Sequence, residues 1–192
     1  MIDVAKRTQV HIALIHWPVF DRAKTVVCTN VTNFDIHDIA RASRTYGVGR
    51  YFIVNKLKEQ LSFVERILDH WRVGTGSEYN PKRKTALGMV ETAELLEDVI
   101  QKFEVKPYVV CTSARDLPIP RVSFKDLRVK VWDESSPPIL LVFGTGFGLH
   151  DSILNMADAL LEPLKGASAD DYRHLSVRSA VSIVLDRLLG AW

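Results

Sequence analysis

Four continuous apolar runs constrain this chain more than any other feature: HIALIHWPV at 11–19, RYFIVN at 50–55, PYVVCTS at 107–113 and ILLVFG at 139–144. A strand without alternating polar residues leaves no face for water, so it must be covered on both sides. Each run meets a glycine or proline at one end, and helical periodicity fills the stretches between them. Strands of this kind alternating with helices define an α/β fold with a mostly parallel sheet flanked by helices.

The first predicted helix starts after Thr32 or Asn33, places Asp35 and Asp38 at the positive end of its dipole and stops at Gly47. A second spans 57–71 through Leu57, Leu61, Val64, Ile67, Leu68 and Trp71. The segment VGTGSEYNPKRK reads as a loop, followed by a helix over 85–103 and a shorter one over 123–131. ALLEPL at 159–164 reads as a short strand, and a last helix runs from His174 or Leu175 to Leu189. No repeat or linker interrupts this order, so residues 1–192 are expected to form one domain.

The 25 Lys and Arg against 23 Asp and Glu leave a net charge of +2, which excludes no class of partner; where the cations lie must decide. Cys28 and Cys111 sit in the apolar strings TVVCT and YVVCT, without Cys or His at zinc spacing, so both are expected in the core and no metal is expected. His11 and His16, in the first strand, read as core-edge residues. The start of the chain carries Asp3 and mixed charge where a signal peptide would be apolar, and no run approaches the roughly 18 apolar residues of a membrane span. A cytoplasmic location without membrane contact is the expectation.

Three segments could carry chemistry. In the first, His37, Arg41 and Arg44 stand at i, i+4 and i+7 on one helix face, with Ile36, Ile39, Ala40 and Ser43 opposite. Such a stripe can hold phosphates, because arginine offers a permanent planar fork of donors; a solvated face with Asp38 paired to Arg41 is the alternative. The second is Phe143-Gly144-Thr145-Gly146-Phe147-Gly148-Leu149 after an apolar strand, where glycines let backbone amides approach a ligand closely. It also fits a nicotinamide-dinucleotide turn with Glu162 as the ribose acid, although the 149–157 segment is short for the helix that fold requires, or a tight turn without a ligand. The third runs from Leu161-Glu162-Pro163-Leu164 to HLSVRSA at 174–180, with small residues opening the last helix. Separately, Tyr79, Lys82, Arg83 and Lys84 form a basic stretch with an aromatic that could bind RNA.

Taken in order, the three segments resemble the motifs of the SPOUT superfamily of S-adenosylmethionine (SAM)-dependent RNA methyltransferases, whose C-terminal part is a deep trefoil knot. Ile39 to Gly47 resembles the first motif, with Arg41 matching its invariant arginine. Ile139 to Leu149 resembles the second, and Leu161 to Ala180 the third. The strings TN-DxHDIAR, YNP, GTGxGL and HLSVR are similar to those of a small bacterial group related to tRNA guanine-N1 methyltransferases. The chain departs from the superfamily pattern at Asp35, which stands where the motif has Asn, at Ser176, which also replaces an Asn, and in a shorter glycine turn.

The resemblance implies SAM as cofactor, held by Thr112 and Ser113, by Gly144, Thr145, Gly146 and Gly148, and by Leu161, Pro163, Leu164, His174, Leu175 and Ser176. It implies an RNA substrate, tRNA or rRNA, with ribose or base as target, and a homodimer in which the partner's first-motif helix completes the substrate site. Arg41 would orient the target, Asp35 would take its proton, with Asp170 or Asp171 as the alternative base, and His37 and Arg44 would contact phosphates. Two other readings remain open: a non-catalytic knotted RNA-binding module, and a nicotinamide-dependent oxidoreductase built on the glycine turn.

Overall fold

The computed structural model describes residues 7–113, 117 and 119–191. Strand β1 (Val10–Ile15) leads into an antiparallel ribbon of β2 (Val19–Phe20) and β3 (Val26–Val27). Helix α1 (Asn33–Thr45) and strand β4 (Tyr51–Val54) follow, then α2 (Lys58–Arg72), α3 (Thr75–Tyr79), α4 (Pro81–Leu87), β5 (Val90–Ala93) and α5 (Leu96–Gln101). The second half comprises β6 (Tyr108–Cys111), β7 (Arg121–Val122), α6 (Phe124–Val131), β8 (Ile139–Gly144), α7 (Asp151–Leu154), β9 (Ala159–Leu161) and α8 (Val177–Leu189).

Among the described residues, seven strands form one parallel sheet in the order β5-β4-β1-β8-β6-β9-β7. Side chains alternate across it. Val10, Ile12 and Leu14 of β1 point into a core shared with α1, α2, α4, α6 and α8, whereas Ala13 and Ile15 point into one shared with α5 and α7. Both β1 and β8 are buried along their apolar lengths, as continuous apolar strands require. Cys111 is fully buried and Cys28 partly so. Among the described residues, no helix is long and apolar enough to cross a membrane, and no three His, Cys, Asp or Glu side chains cluster as metal ligands.

Local chemistry sets the helix ends. Thr32 and Asp35 form a reciprocal capping box at α1. Ser176 caps α8, accepting from the Ser179 amide at 3.2 Å. The C-terminus of α8 is closed by α6: Arg128 donates to the carbonyls of Arg187 (3.0 Å) and Gly190 (2.9 Å), and Trp132 Nε1 donates to that of Leu188 (3.1 Å).

Two expectations are corrected. The stretch 73–84 is not a loop: after Val73, which caps α2, it forms α3 and the start of α4; Asn80 caps α4 and Pro81 occupies its first turn. The 85–103 segment is not one helix. Gly88 ends α4, and β5 then pairs with β4 in the register Tyr51↔Val90 to Val54↔Ala93. Leu and Glu give MVETAELLEDV high helix propensity, and parallel pairing at the sheet edge overrides it over Val90–Ala93.

Candidate functional site

A cleft of about 630 Å³ opens beyond the C-terminal ends of β6, β8 and β9 and against the start of α8. Thr112, Ser113, Gly144, Thr145, Gly146, Gly148, Leu161, Pro163, Leu164, His174, Leu175 and Ser176 all line it. Residues that sequence reasoning did not assign to it complete the walls: Phe143, Phe147, Glu162, Arg173, Val177, Ala180 and Val184. Phe143, Leu161 and Val184 belong to the buried core beneath, so the floor is apolar. Apolar positions within a strand or helix carry no local mark of facing a cleft, which is why Phe143, Val177, Ala180 and Val184 were not found.

The glycine turn is held rigidly. Gly146 has φ +59°, and a Cβ there would lie 2.8 Å from the Phe20 carbonyl; a Cβ on Gly144 would meet Leu149 at 2.9 Å. The Phe147 amide donates to the Phe20 carbonyl (2.8 Å) and the Phe20 amide to the Gly148 carbonyl (2.9 Å), so the β2–β3 ribbon braces the turn. Thr145 donates through both its amide (3.2 Å) and its hydroxyl (2.9 Å) to the Ile15 carbonyl. The Thr29 hydroxyl shares a hydrogen bond with that of Thr145 at 2.6 Å and another with His16 Nδ1 at 2.9 Å. Burial pushes the pKa of His16 down to about 4.

The cationic face of α1 differs from the expectation. Arg41 and Arg44 are exposed, but His37 is half-buried, edge-on to Trp71 at 5.5 Å. Burial, and next the positive charge of Arg83, lower its pKa, so it is neutral rather than cationic at pH 7. Arg83 lies over the Trp71 ring, 4.6 Å from its centroid. Lys82 and Lys84 are exposed on α4, beside an 88% exposed Tyr79 at the end of α3.

Asp35 is buried, and both carboxylate oxygens are occupied. Oδ2 accepts from the Thr32 amide (3.0 Å) and hydroxyl (2.6 Å), and Oδ1 accepts from Arg178 Nη1 at 2.9 Å. Arg178 also approaches Asp38 at 3.8 Å and lies over Phe34. The pair latches α1 to α8, whose first turn forms one cleft wall. Asp38 thus turns to Arg178 rather than to Arg41. Asp170 and Asp171 lie in the exposed loop before α8; a bond from the Ser168 hydroxyl holds the first below the usual carboxylate range, and a bond from Arg173 the second.

A model of the SAM-dependent RNA methyltransferase family matches residues 9–190. The chain belongs to that family. A relative from Nitratidesulfovibrio vulgaris described as a tRNA (guanine-N(1)-)-methyltransferase is 41% identical over 182 residues, covering 93% of this chain. The chain spans only 41% of that relative's length. Among solved structures, a methylase family protein from Neisseria gonorrhoeae superposes with a TM-score of 0.65 at 18% identity, covering 96% of this chain and 83% of its own. The SpoU methyltransferase AviRb from Streptomyces viridochromogenes, in complex with AdoMet, superposes at 0.52 with 13% identity, covering 98% and 61%.

These neighbours share the α/β fold of the SPOUT methyltransferases, as the three motifs imply. The dinucleotide alternative fails on geometry. After the glycine turn comes α7, only four residues long, where a Rossmann unit needs a full helix packed behind the phosphates.

Proposed function

We propose that this methyltransferase modifies tRNA, holding SAM in the 630 Å³ cleft. One observation carries the cofactor assignment: the 112–113, 144–148 and 161–176 segments, far apart in sequence, close around a single cleft. The cleft fits the group. Its volume suits a nucleoside-sized ligand, its floor is apolar enough for a purine, and its glycines leave backbone amides and carbonyls close to whatever binds. When bound, SAM supplies an electrophilic methyl group.

The chain's own residues then position the target and receive its proton. Arg41 orients the target, with Arg44 on the neighbouring phosphates. Arg41 does not line the cleft of its own chain, so the proposal includes a homodimer whose partner brings α1 to the site, with a C-terminal trefoil knot forming the cleft. The carboxylate of Asp35, occupied by Thr32 and Arg178, acts by holding α1 on α8. Proton removal falls to Asp170 in the loop beside the cleft, which is bonded to a hydroxyl and not paired with Arg173. The named tRNA relative supports tRNA as substrate class, a cytoplasmic location follows from that substrate, and residues 1–192 act as one SPOUT domain.

Calorimetric titration with S-adenosylhomocysteine, using a nicotinamide dinucleotide as control, tests the cleft. Transfer of labelled methyl from SAM to unmodified tRNA tests the reaction. Micromolar binding of the first ligand and incorporation that Arg41→Ala abolishes without loss of that binding are expected. Binding without incorporation into any RNA would turn the reading to the non-catalytic module.

A further inference from the structure

A second cavity, of about 710 Å³, lies beside the cleft and shares Glu162, Pro163 and Arg173 with it. Its cations arrive from separate parts of the chain: Arg121 from β7, Lys165 from the segment after β9, Arg173 from the loop before α8, and Arg187 from the last turn of α8. No sequence pattern joins these positions; the fold brings them together.

The carboxylates in the same wall are turned to other work. Glu162 Oε1 accepts from the Phe124 amide at 2.6 Å, and Asp126 Oδ2 accepts from the Ser123 hydroxyl at 2.7 Å, so both serve the first turn of α6. Arg173 also bonds Asp171. Arg187 lies over the Phe124 ring, 4.8 Å from its centroid, which holds the guanidinium face and leaves its in-plane donors for a ligand. Arg121 and Lys165 are exposed.

We propose that this groove carries the RNA backbone past the cleft, with phosphates on Arg121, Lys165 and Arg187. The inference rests on the methyltransferase reading and adds a basic surface that shares no residue with α1 or α4. A groove lined by cations from four parts of the chain suits an extended polyanion better than a lone phosphate, which needs an enclosing site to bind tightly.

The test is tRNA binding, measured as a function of salt, by the double variant Arg121→Glu/Lys165→Glu. A second variant, Lys165→Gln/Arg187→Gln, changes charge more gently should the first misfold. S-adenosylhomocysteine affinity is measured alongside, since none of these three residues lines the cleft. The expected result is a loss of tRNA affinity of tenfold or more at ~0.1 M salt, with a salt slope shallower by about 0.7–0.9 per phosphate lost, and unaltered S-adenosylhomocysteine binding. Wild-type tRNA affinity and slope in both variants would overturn the groove. So would a parallel loss of S-adenosylhomocysteine binding, or displacement of tRNA by millimolar inorganic phosphate. Failure of the wild-type protein to bind S-adenosylhomocysteine would instead sink the methyltransferase reading.

Discussion

The cleft and the α1–α4 face are built on opposite principles. The cleft joins an apolar floor to walls of fixed backbone: a glycine turn tied to β1 and to the β2–β3 ribbon, and a capped helix start, each placed by hydrogen bonds. The face is made of long side chains, Arg41, Arg44, Lys82 and Lys84, that are exposed to water. A ligand of fixed shape rewards a rigid surface, whereas a flexible polyanion is served by mobile charges. Substitutions in the cleft should therefore cost stability and binding together, and those on the face should cost binding alone.

Gly146→Val is the severest test of the first half of that contrast. It forces a β-branched residue into φ +59° and drives its Cβ to 2.8 Å from the Phe20 carbonyl. Backbone strain of this kind costs ~1–3 kcal/mol before the clash is counted. The expected outcome is a lower Tm and no detectable binding of S-adenosylhomocysteine. Normal binding in a fully stable variant would show that the turn is less rigid than its bonds indicate.

Acid should reach the cleft before it reaches the face. His11 and His16 are buried, with pKa values lowered by burial to about 4 from an unfolded value of 6.5. The unfolded chain takes up these protons first, so stability present above pH 6.5 is lost as pH falls toward 4, then levels off. Each contributes up to about 3 kcal/mol. His16 anchors the Thr29–Thr145 chain under the glycine turn, so His16→Gln should flatten urea midpoints measured from pH 7 to 4. An unchanged profile would remove His16 from the account.

Legibility followed the range of the interactions. β1 and β8 were readable because burial on both faces leaves a continuous apolar run. The glycine turn was readable because a positive φ demands glycine, and the cleft-lining segments because they resemble known motifs. β7, only two residues long, had no local signal. β5 carries helix-favouring residues and becomes a strand only beside β4. The Asp35–Arg178 latch joins positions 143 apart in sequence, and no periodicity spans that distance. His37 sits on the predicted face of α1, yet α2 supplies the Trp71 that removes it from the cationic stripe.

The latch gives an intermediate effect and separates two roles for Asp35. Its side chain is 6% exposed and that of Arg178 34%, so Arg178→Ala leaves a buried carboxylate without its cation. About 2 kcal/mol is expected in urea melts, less than for a fully enclosed pair because water screens the arginine. Asp35→Asn keeps an oxygen for Thr32 and should retain methyl transfer within about tenfold. Loss of ~10²–10⁴ in kcat, the range for removing a general base, would restore Asp35 to the chemistry and displace Asp170.

The smallest effect should come from Lys82→Ala/Lys84→Ala. Both ammonium groups are exposed on α4, and no hydrogen bond or ion pair of the described residues depends on them, so Tm should not move. Arg83 is left in place because it packs on Trp71 against His37, and replacing it would confuse packing with charge. If α4 meets the RNA backbone, two lost phosphate contacts should lower tRNA affinity about tenfold at physiological salt and make the salt slope shallower by roughly 1.5, with S-adenosylhomocysteine binding untouched. Unchanged tRNA affinity would reduce the basic face to Arg41 and Arg44 on α1, and leave α4 as the support that fixes His37 and Trp71 beneath them.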